Sequence, residues 1–365
     1  MRRLPANEIM SLVTDNPRYE LAESVGPDLR LSDLLDDTDL PLSYGSAAGD
    51  PRLRGIIAQA HGVDADDVVL TFGGMHALFL LAFLTCERGD QAVTTSPLFP
   101  VARGSLDAVG ADVRVVPLSF DNGYQLDLDA FADQLTPATK LVSLASPQNP
   151  SGVALSAETF EAVVALVREK SSDAYVIADE TYREATYGDN AVAPSVVTLD
   201  PRVVSVASLS KCHGAPGLRL GWAISQDRAL IDQLVRAKFG TVLTGSPVTE
   251  ALALRVFRKY DQIMAERRAV LADGLAATEA WVAENADLVE WVRPNAGAIC
   301  CVRLKPAVPV ESFYRTLEKY EIRVANGSWF GEEPRVFRLG FGFLPIEDLK
   351  AAFKAFTAAL RSVHS

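Results

Sequence analysis

Ser208-Leu209-Ser210-Lys211-Cys212-His213-Gly214-Ala215-Pro216-Gly217-Leu218-Arg219-Leu220-Gly221 sets one lysine and one arginine eight residues apart around a Gly/Pro-rich bend. A lysine before such a bend presents an amine to a carbonyl, and the arginine can clamp an anion. A surface turn with two solvated charges is the better reading of any isolated Lys and Arg, so the surrounding residues decide. The apolar run Val203-Val204-Ser205-Val206-Ala207 leads directly into the motif, and Tyr175-Val176-Ile177-Ala178 leads in the same way into Asp179. Both read as buried parallel strands. Loops after such strands are where open α/β sheets build ligand sites, so two neighbouring strand ends converge on one place.

An amine that forms an imine with an aldehyde, beside a guanidinium that holds a phosphate, describes a pyridoxal phosphate (PLP) site. Such a site needs a carboxylate to keep the pyridine nitrogen protonated, and Asp179 is placed for that. The Ser-x-Ser-Lys…Arg pattern, preceded in order by Asn149-Pro150-Ser151-Gly152 and Asp179-Glu180-Thr181-Tyr182, resembles the signature of fold type I PLP enzymes, the aspartate aminotransferase-like (class I/II aminotransferase) family. Turn formation alone would explain Asn-Pro-x-Gly, and Asp-x-x-Tyr is weak by itself. Their recurrence in one order carries the resemblance.

The resemblance implies a role for each matching position. Lys211 would hold PLP as a Schiff base and shuttle a proton, Asp179 would make the ring an electron sink, and Tyr182 and Asn149 would bind its ring oxygen. Asn149 would also meet the substrate carboxylate, with Pro147 and Pro150 stiffening its loop. The phosphate would lie on Gly73, Gly74 and Met75, where a strand, a diglycine turn and a helix start leave backbone N–H groups free. Many relatives carry a hydroxyl near the first of these positions; here Ser208 offers one instead, beside the planar fork of Arg219. Phe99, in Pro97-Leu98-Phe99-Pro100, would stack on the ring, and Arg338, in Phe337-Arg338-Leu339-Gly340-Phe341, would bind the substrate carboxylate. Tyr44, in a Tyr-Gly…Gly…Leu-Arg stretch, would reach the neighbouring subunit's phosphate, implying a homodimer with shared sites.

Composition agrees with an enzyme. The 365 residues suggest two domains, and 48% hydrophobic residues suffice for substantial cores. With 35 basic and 47 acidic side chains the formal charge is −12, which disfavours nucleic acid and acidic membrane surfaces as partners. Cysteines 86, 212, 300 and 301 lack metal-site or disulfide-framework spacing and read as buried thiols. The four histidines are dispersed, which gives a metal site little support, although His213 beside the lysine invites suspicion. Ala77–Leu84 is too short to span a membrane and reads as a buried helix. Met1-Arg2-Arg3-Leu4-Pro5 lacks a following signal core, which makes the cytoplasm the expected location.

The expected fold is α/β, the PLP-dependent transferase fold, with a mainly parallel seven-stranded sheet and a smaller α+β domain. Its parts would be an arm over residues 1–44 that contributes to the small domain and covers the site, a large PLP-binding domain over 45–250, and a C-terminal small domain over 251–365. Val248–Glu284, free of internal proline, reads as long joining helices. The leading expectation is an aminotransferase moving an amino group between an L-amino acid and a 2-oxo acid. The alternative is a PLP-dependent lyase or cyclase acting on a hydroxylated, arginine-like amino acid, because Asp15, Glu20, Glu23 and Asp28 stand around Arg18 and Arg30 in the arm. A solvated acidic face explains those carboxylates as well. A silent protein of this fold that binds an amino-acid-like effector is disfavoured by retention of every chemical group.

Overall fold

The computed structural model describes Glu8 and residues 17–24, 26, 29–34 and 40–364. Thirteen strands follow in chain order: β1 (Tyr19–Glu20), β2 (Val68–Thr71), β3 (Gln91–Ser96), β4 (Asp112–Pro117), β5 (Thr139–Ala145), β6 (Tyr175–Asp179), β7 (Val203–Ser208), β8 (Gly221–Ser225), β9 (Val289–Val292), β10 (Ile299–Leu304), β11 (Ile322–Arg323), β12 (Ala325–Asn326) and β13 (Val336–Gly340). Seven of them form one sheet in the order β2-β8-β7-β6-β5-β3-β4. Only β8 runs against its neighbours; the other pairings are parallel.

The apolar runs account for this layout. β2, β7 and β8 are buried at every residue, which suits strands covered by helices on both faces. β4 is one edge, with β2 the other, and it turns Asp112 and Arg114 outward, a charged rim that discourages pairing with another chain. Gly74–Thr85 is the expected buried helix, with Ala77, Leu78, Leu80, Leu81 and Ala82 in the core, although Phe79 and Phe83 remain exposed along one side. It packs beside helices Pro100–Val109 and Arg228–Val242.

A second sheet, β12-β13-β10-β9, is antiparallel and lies beside helices Val310–Lys319 and Ile346–His364. An aromatic cluster fastens it. Trp281 stacks on Phe353 at 5.1 Å between ring centres, and Phe313 meets Phe337 at 5.4 Å. Such pairs each add about 0.5–1.5 kcal/mol beyond the area they bury. The segment from Val248 onward is two helices, Pro247–Arg258 and Tyr260–Glu284, broken at Lys259. The first begins with Ser246 as cap and Pro247 in its first turn, and it runs through residue 250.

β1 pairs in parallel with β11, which carries the N-terminal segment across the C-terminal half of the chain. Leu21 N–H donates to Arg323 O at 2.9 Å, and Gly340 N–H donates to Leu21 O at 2.6 Å. Residues 21–24 therefore lie along the edge of Arg338's strand.

Candidate active site

The C-terminal ends of β2, β3, β5, β6 and β7 open on a cavity of about 250 Å3. Gly74, Met75, Phe99, Asn149, Asp179, Tyr182, Ser208, Lys211 and Arg219 all line it, so nine of the anticipated residues meet in one place. Ser210, the second serine of the Ser-x-Ser-Lys pattern, lines it as well, as do Thr94, Thr95 and Thr181, which had no sequence signal of their own.

One end is built for an anion. Gly73 caps helix Gly74–Thr85 at φ 77°, with no side chain satisfying the first-turn N–H groups. Those groups and the helix dipole favour negative charge. A Cβ on Gly73 would fall on Arg219 Nη2, so the missing side chain is what lets the guanidinium approach the turn. Arg219 itself is left-handed at φ 49°, and its Nη1 donates to Pro216 O at 2.9 Å, which aims the fork. Ser208 is buried on the last residue of β7.

At the other end Asp179 finishes β6 with Thr181 N–H donating to its Oδ1 at 3.0 Å. Burial pushes its carboxyl above the usual range, opposed by Thr181, and the Lys211 charge offsets this only in part. Tyr182 is buried, and its phenol is pushed up to about 12 chiefly by desolvation. Asn149 Nδ2 points at Tyr182 Oη from 3.5 Å. Gln148 Nε2 donates to Pro97 O at 2.6 Å and ties the Asn149 loop to the loop bearing Phe99.

Lys211 Nζ donates to Ser24 Oγ at 3.0 Å. Sequence reasoning missed Ser24, because nothing local marks it and it lies 187 positions from the lysine. Arg338, expected to bind the substrate carboxylate, is 1% exposed on the wholly buried β13. Its Nη1 donates to Asn149 Oδ1 at 2.8 Å, its Nη2 donates to Ala22 O at 2.5 Å, and the Phe330 ring covers it at 4.7 Å. Its Nε is buried and has no hydrogen-bond partner among the described residues. Burial lowers the guanidinium's affinity for its proton, and Tyr182 and Glu23 oppose that.

Tyr44 does not line the cavity and is 82% exposed. His213 sits elsewhere, against Trp222 and Phe257, with Nε2 3.2 Å from Glu184 Oε2; burial lowers its basicity. All four cysteines are free and buried. Of the arm's carboxylates, Glu20 pairs with Arg323, while Glu23 Oε2 accepts from Ser24 N–H at 3.0 Å. Asp15 and Asp28 lie outside the described residues. No cluster of three metal-ligating side chains occurs among the described residues, and no helix among them is long and apolar enough to cross a membrane.

These groups fit PLP. The turn and Arg219 match a phosphate, and the raised carboxyl of Asp179 lacks the cation that a protonated ring nitrogen provides. Comparison with known proteins agrees. The model of the class I and II aminotransferase family matches residues 7–356, and the chain belongs to that family. It is a PLP-dependent aminotransferase.

Capreomycidine synthase of Streptomyces vinaceus is 30% identical over 319 residues, covering 87% of this chain and 80% of that protein. Arginine–pyruvate transaminase AruH of Pseudomonas aeruginosa is 29% identical over 299 residues, covering 79% and 75%. The structure of a PLP-dependent aminotransferase from Streptococcus suis matches with a TM-score of 0.88 at 25% identity, over 99% of both chains. The PLP-dependent cyclase OrfR matches with a TM-score of 0.87 at 26% identity, over 99% of this chain and 98% of its own.

Proposed function

We propose that the protein moves an amino group from an L-amino acid to a 2-oxo acid, with Lys211 holding the cofactor. The observation that carries this reading is the convergence of Lys211, Asp179 and Arg219 on one cavity. Bound there, PLP supplies an aldehyde that condenses with amines and a ring that accepts electrons from the bond to the substrate α-carbon. Gly73, Gly74 and Arg219 would anchor the phosphate. Asp179 would keep the ring nitrogen protonated, and Phe99 would pack on the ring face. Asn149 and Tyr182 would hold the ring oxygen, Arg338 would orient the substrate carboxylate, and the freed Nζ of Lys211 would carry the α-proton.

The proposed assembly is a homodimer. Tyr44, Leu42, Phe239, Leu243 and Val248 are exposed apolar or aromatic side chains, and a second copy of the chain would cover them. Tyr44 would then add its hydroxyl to the partner's phosphate site. The cytoplasm is the proposed compartment, consistent with four free thiols.

The test is to add PLP to the cofactor-free protein, reduce with borohydride and map the modified peptide, in parallel with Lys211→Ala. Modification at Lys211 that is lost in the variant supports the assignment; a reducible attachment that survives in Lys211→Ala overturns it. Stopped-flow mixing with single amino acids, arginine and hydroxyarginine included, followed by product mass analysis, then separates the reactions. An oxo acid with cofactor left in the amine form supports transamination. Loss of water or ring closure with the aldehyde form regained supports the second reading, a lyase or cyclase on a hydroxylated, arginine-like amino acid. That reading draws on the likeness to capreomycidine synthase and OrfR.

A further inference from the structure

Ser24, outside the strand-end loops, accepts a hydrogen bond from the amine of Lys211 at 3.0 Å. It is 5% exposed, and its backbone is fixed from several sides. Its own N–H donates to Glu23 Oε2, Ala22 N–H donates to Glu20 Oε1 at 2.6 Å, and Ala22 O accepts from Arg338. A hydroxyl held this firmly selects one position for the group that donates to it. Ser24, Tyr182 and Lys211 line one small pocket, and the Ser24 hydroxyl acts to lower the phenol's pKa against the larger effect of burial. Ser24 can therefore accept from Lys211 while donating to Tyr182, since a hydroxyl has one donor and two acceptor sites. Beyond it the bonds continue from Asn149 to Tyr182 and from Arg338 to Asn149.

We propose that Ser24 is a positioning residue, whose hydroxyl parks the Lys211 amine whenever that amine is detached from the cofactor. The inference rests on the reading of Lys211 as the PLP-binding lysine. The detached amine has four flexible carbons behind it, and each fixed acceptor narrows the positions it samples. Ser24 restricts it to a place from which it both reaches the substrate and returns to the cofactor.

Labelling of Lys211 in the cofactor-free protein by trinitrobenzenesulfonate at fixed pH, read by peptide mass, tests this without catalysis. Ser24→Ala should speed labelling roughly threefold to tenfold, about the loss of one ordinary hydrogen bond, and Ser24→Thr should restore the slow rate. In PLP-loaded protein, Ser24→Ala should slow single-turnover exchange of the α-proton by a similar factor with KM little changed. Equal labelling rates in wild type and Ser24→Ala, each folded by circular dichroism, would overturn the proposal. If Ser24→Ala does not fold, Ser24→Thr and Ser24→Cys carry the comparison, and Cys labelling as slowly as Thr overturns it too, because a thiol is the poorer acceptor. Failure of borohydride to fix PLP to Lys211 in the wild type would instead remove the underlying assignment.

Discussion

Replacing Gly73 with alanine asks whether the diglycine turn and Arg219 form a single phosphate cradle. Gly73 lies at φ 77° and ψ 169°, a region almost confined to glycine, where an L side chain costs about 1–3 kcal/mol. The new Cβ would collide with Arg219 Nη2 and stand 3.2 Å from Arg219 Cζ, so the guanidinium must swing aside. Phosphate then loses charge-assisted hydrogen bonds of about 1.5–3 kcal/mol, which weakens PLP binding roughly 10- to 150-fold. Arg219→Ala removes the same bonds directly and should weaken binding by a similar factor. In the double variant no guanidinium remains to displace. The backbone strain burdens the empty and loaded protein alike, so the double variant should bind about as weakly as either single one. Absorbance titration of the cofactor-free proteins with PLP gives the dissociation constants. A double variant whose loss equals the product of the two single losses would refute the shared cradle, since independent sites add in free energy.

Four further outcomes can be checked separately. Asp179→Asn should leave PLP bound but cut turnover about a hundredfold or more, because the neutral amide cannot favour a protonated ring nitrogen; turnover within threefold of wild type would remove Asp179 from that role. Arg338→Gln should raise KM for the amino acid by about 2 kcal/mol or more, roughly thirtyfold, with PLP affinity unchanged; a normal KM in steady-state assays would count against it. Tyr44→Phe should weaken PLP binding about threefold to tenfold only while sedimentation reports a dimer; equal affinities would exclude the cross-subunit contact. Trp281→Ala, which empties a 3% exposed site beside Phe353 and Phe356, should cost about 3–5 kcal/mol in urea denaturation; a midpoint within error of wild type would show that the aromatic cluster is not a source of stability.

The core of the site was legible because its chemistry hangs on strand ends. Lys211 follows β7, Asp179 closes β6 and Asn149 follows β5, and each strand announces itself as an apolar run with a polar stop. Ser24 carries no such mark. It reaches Lys211 only because a two-residue strand, β1, pairs with β11 some 300 positions away, and so short a strand leaves no periodicity to read. The burial of Arg338 was hidden for a related reason, since its cover consists of the Ala22 carbonyl and the Phe330 ring from other segments. His213 shows the converse. Two positions from Lys211 in sequence, it turns to the other side of the chain and spends its ring on Glu184 and an aromatic pack.

Under the role proposed for Arg338, its enclosure would make ligand capture an exchange reaction. The side-on edge of a guanidinium consists of Nε and Nη2; here Nε has no partner among the described residues while Nη2 is occupied by Ala22 O. A carboxylate arriving on that edge evicts one backbone carbonyl and leaves the Asn149 contact on Nη1 intact. Its net affinity is thus the difference between two hydrogen-bonded states, which sets a modest ceiling on how tightly any α-carboxylate is held and favours rapid departure of product. That carbonyl stands two residues before Ser24, so a carboxylate that displaced it would pull on the segment bonded to the amine of Lys211.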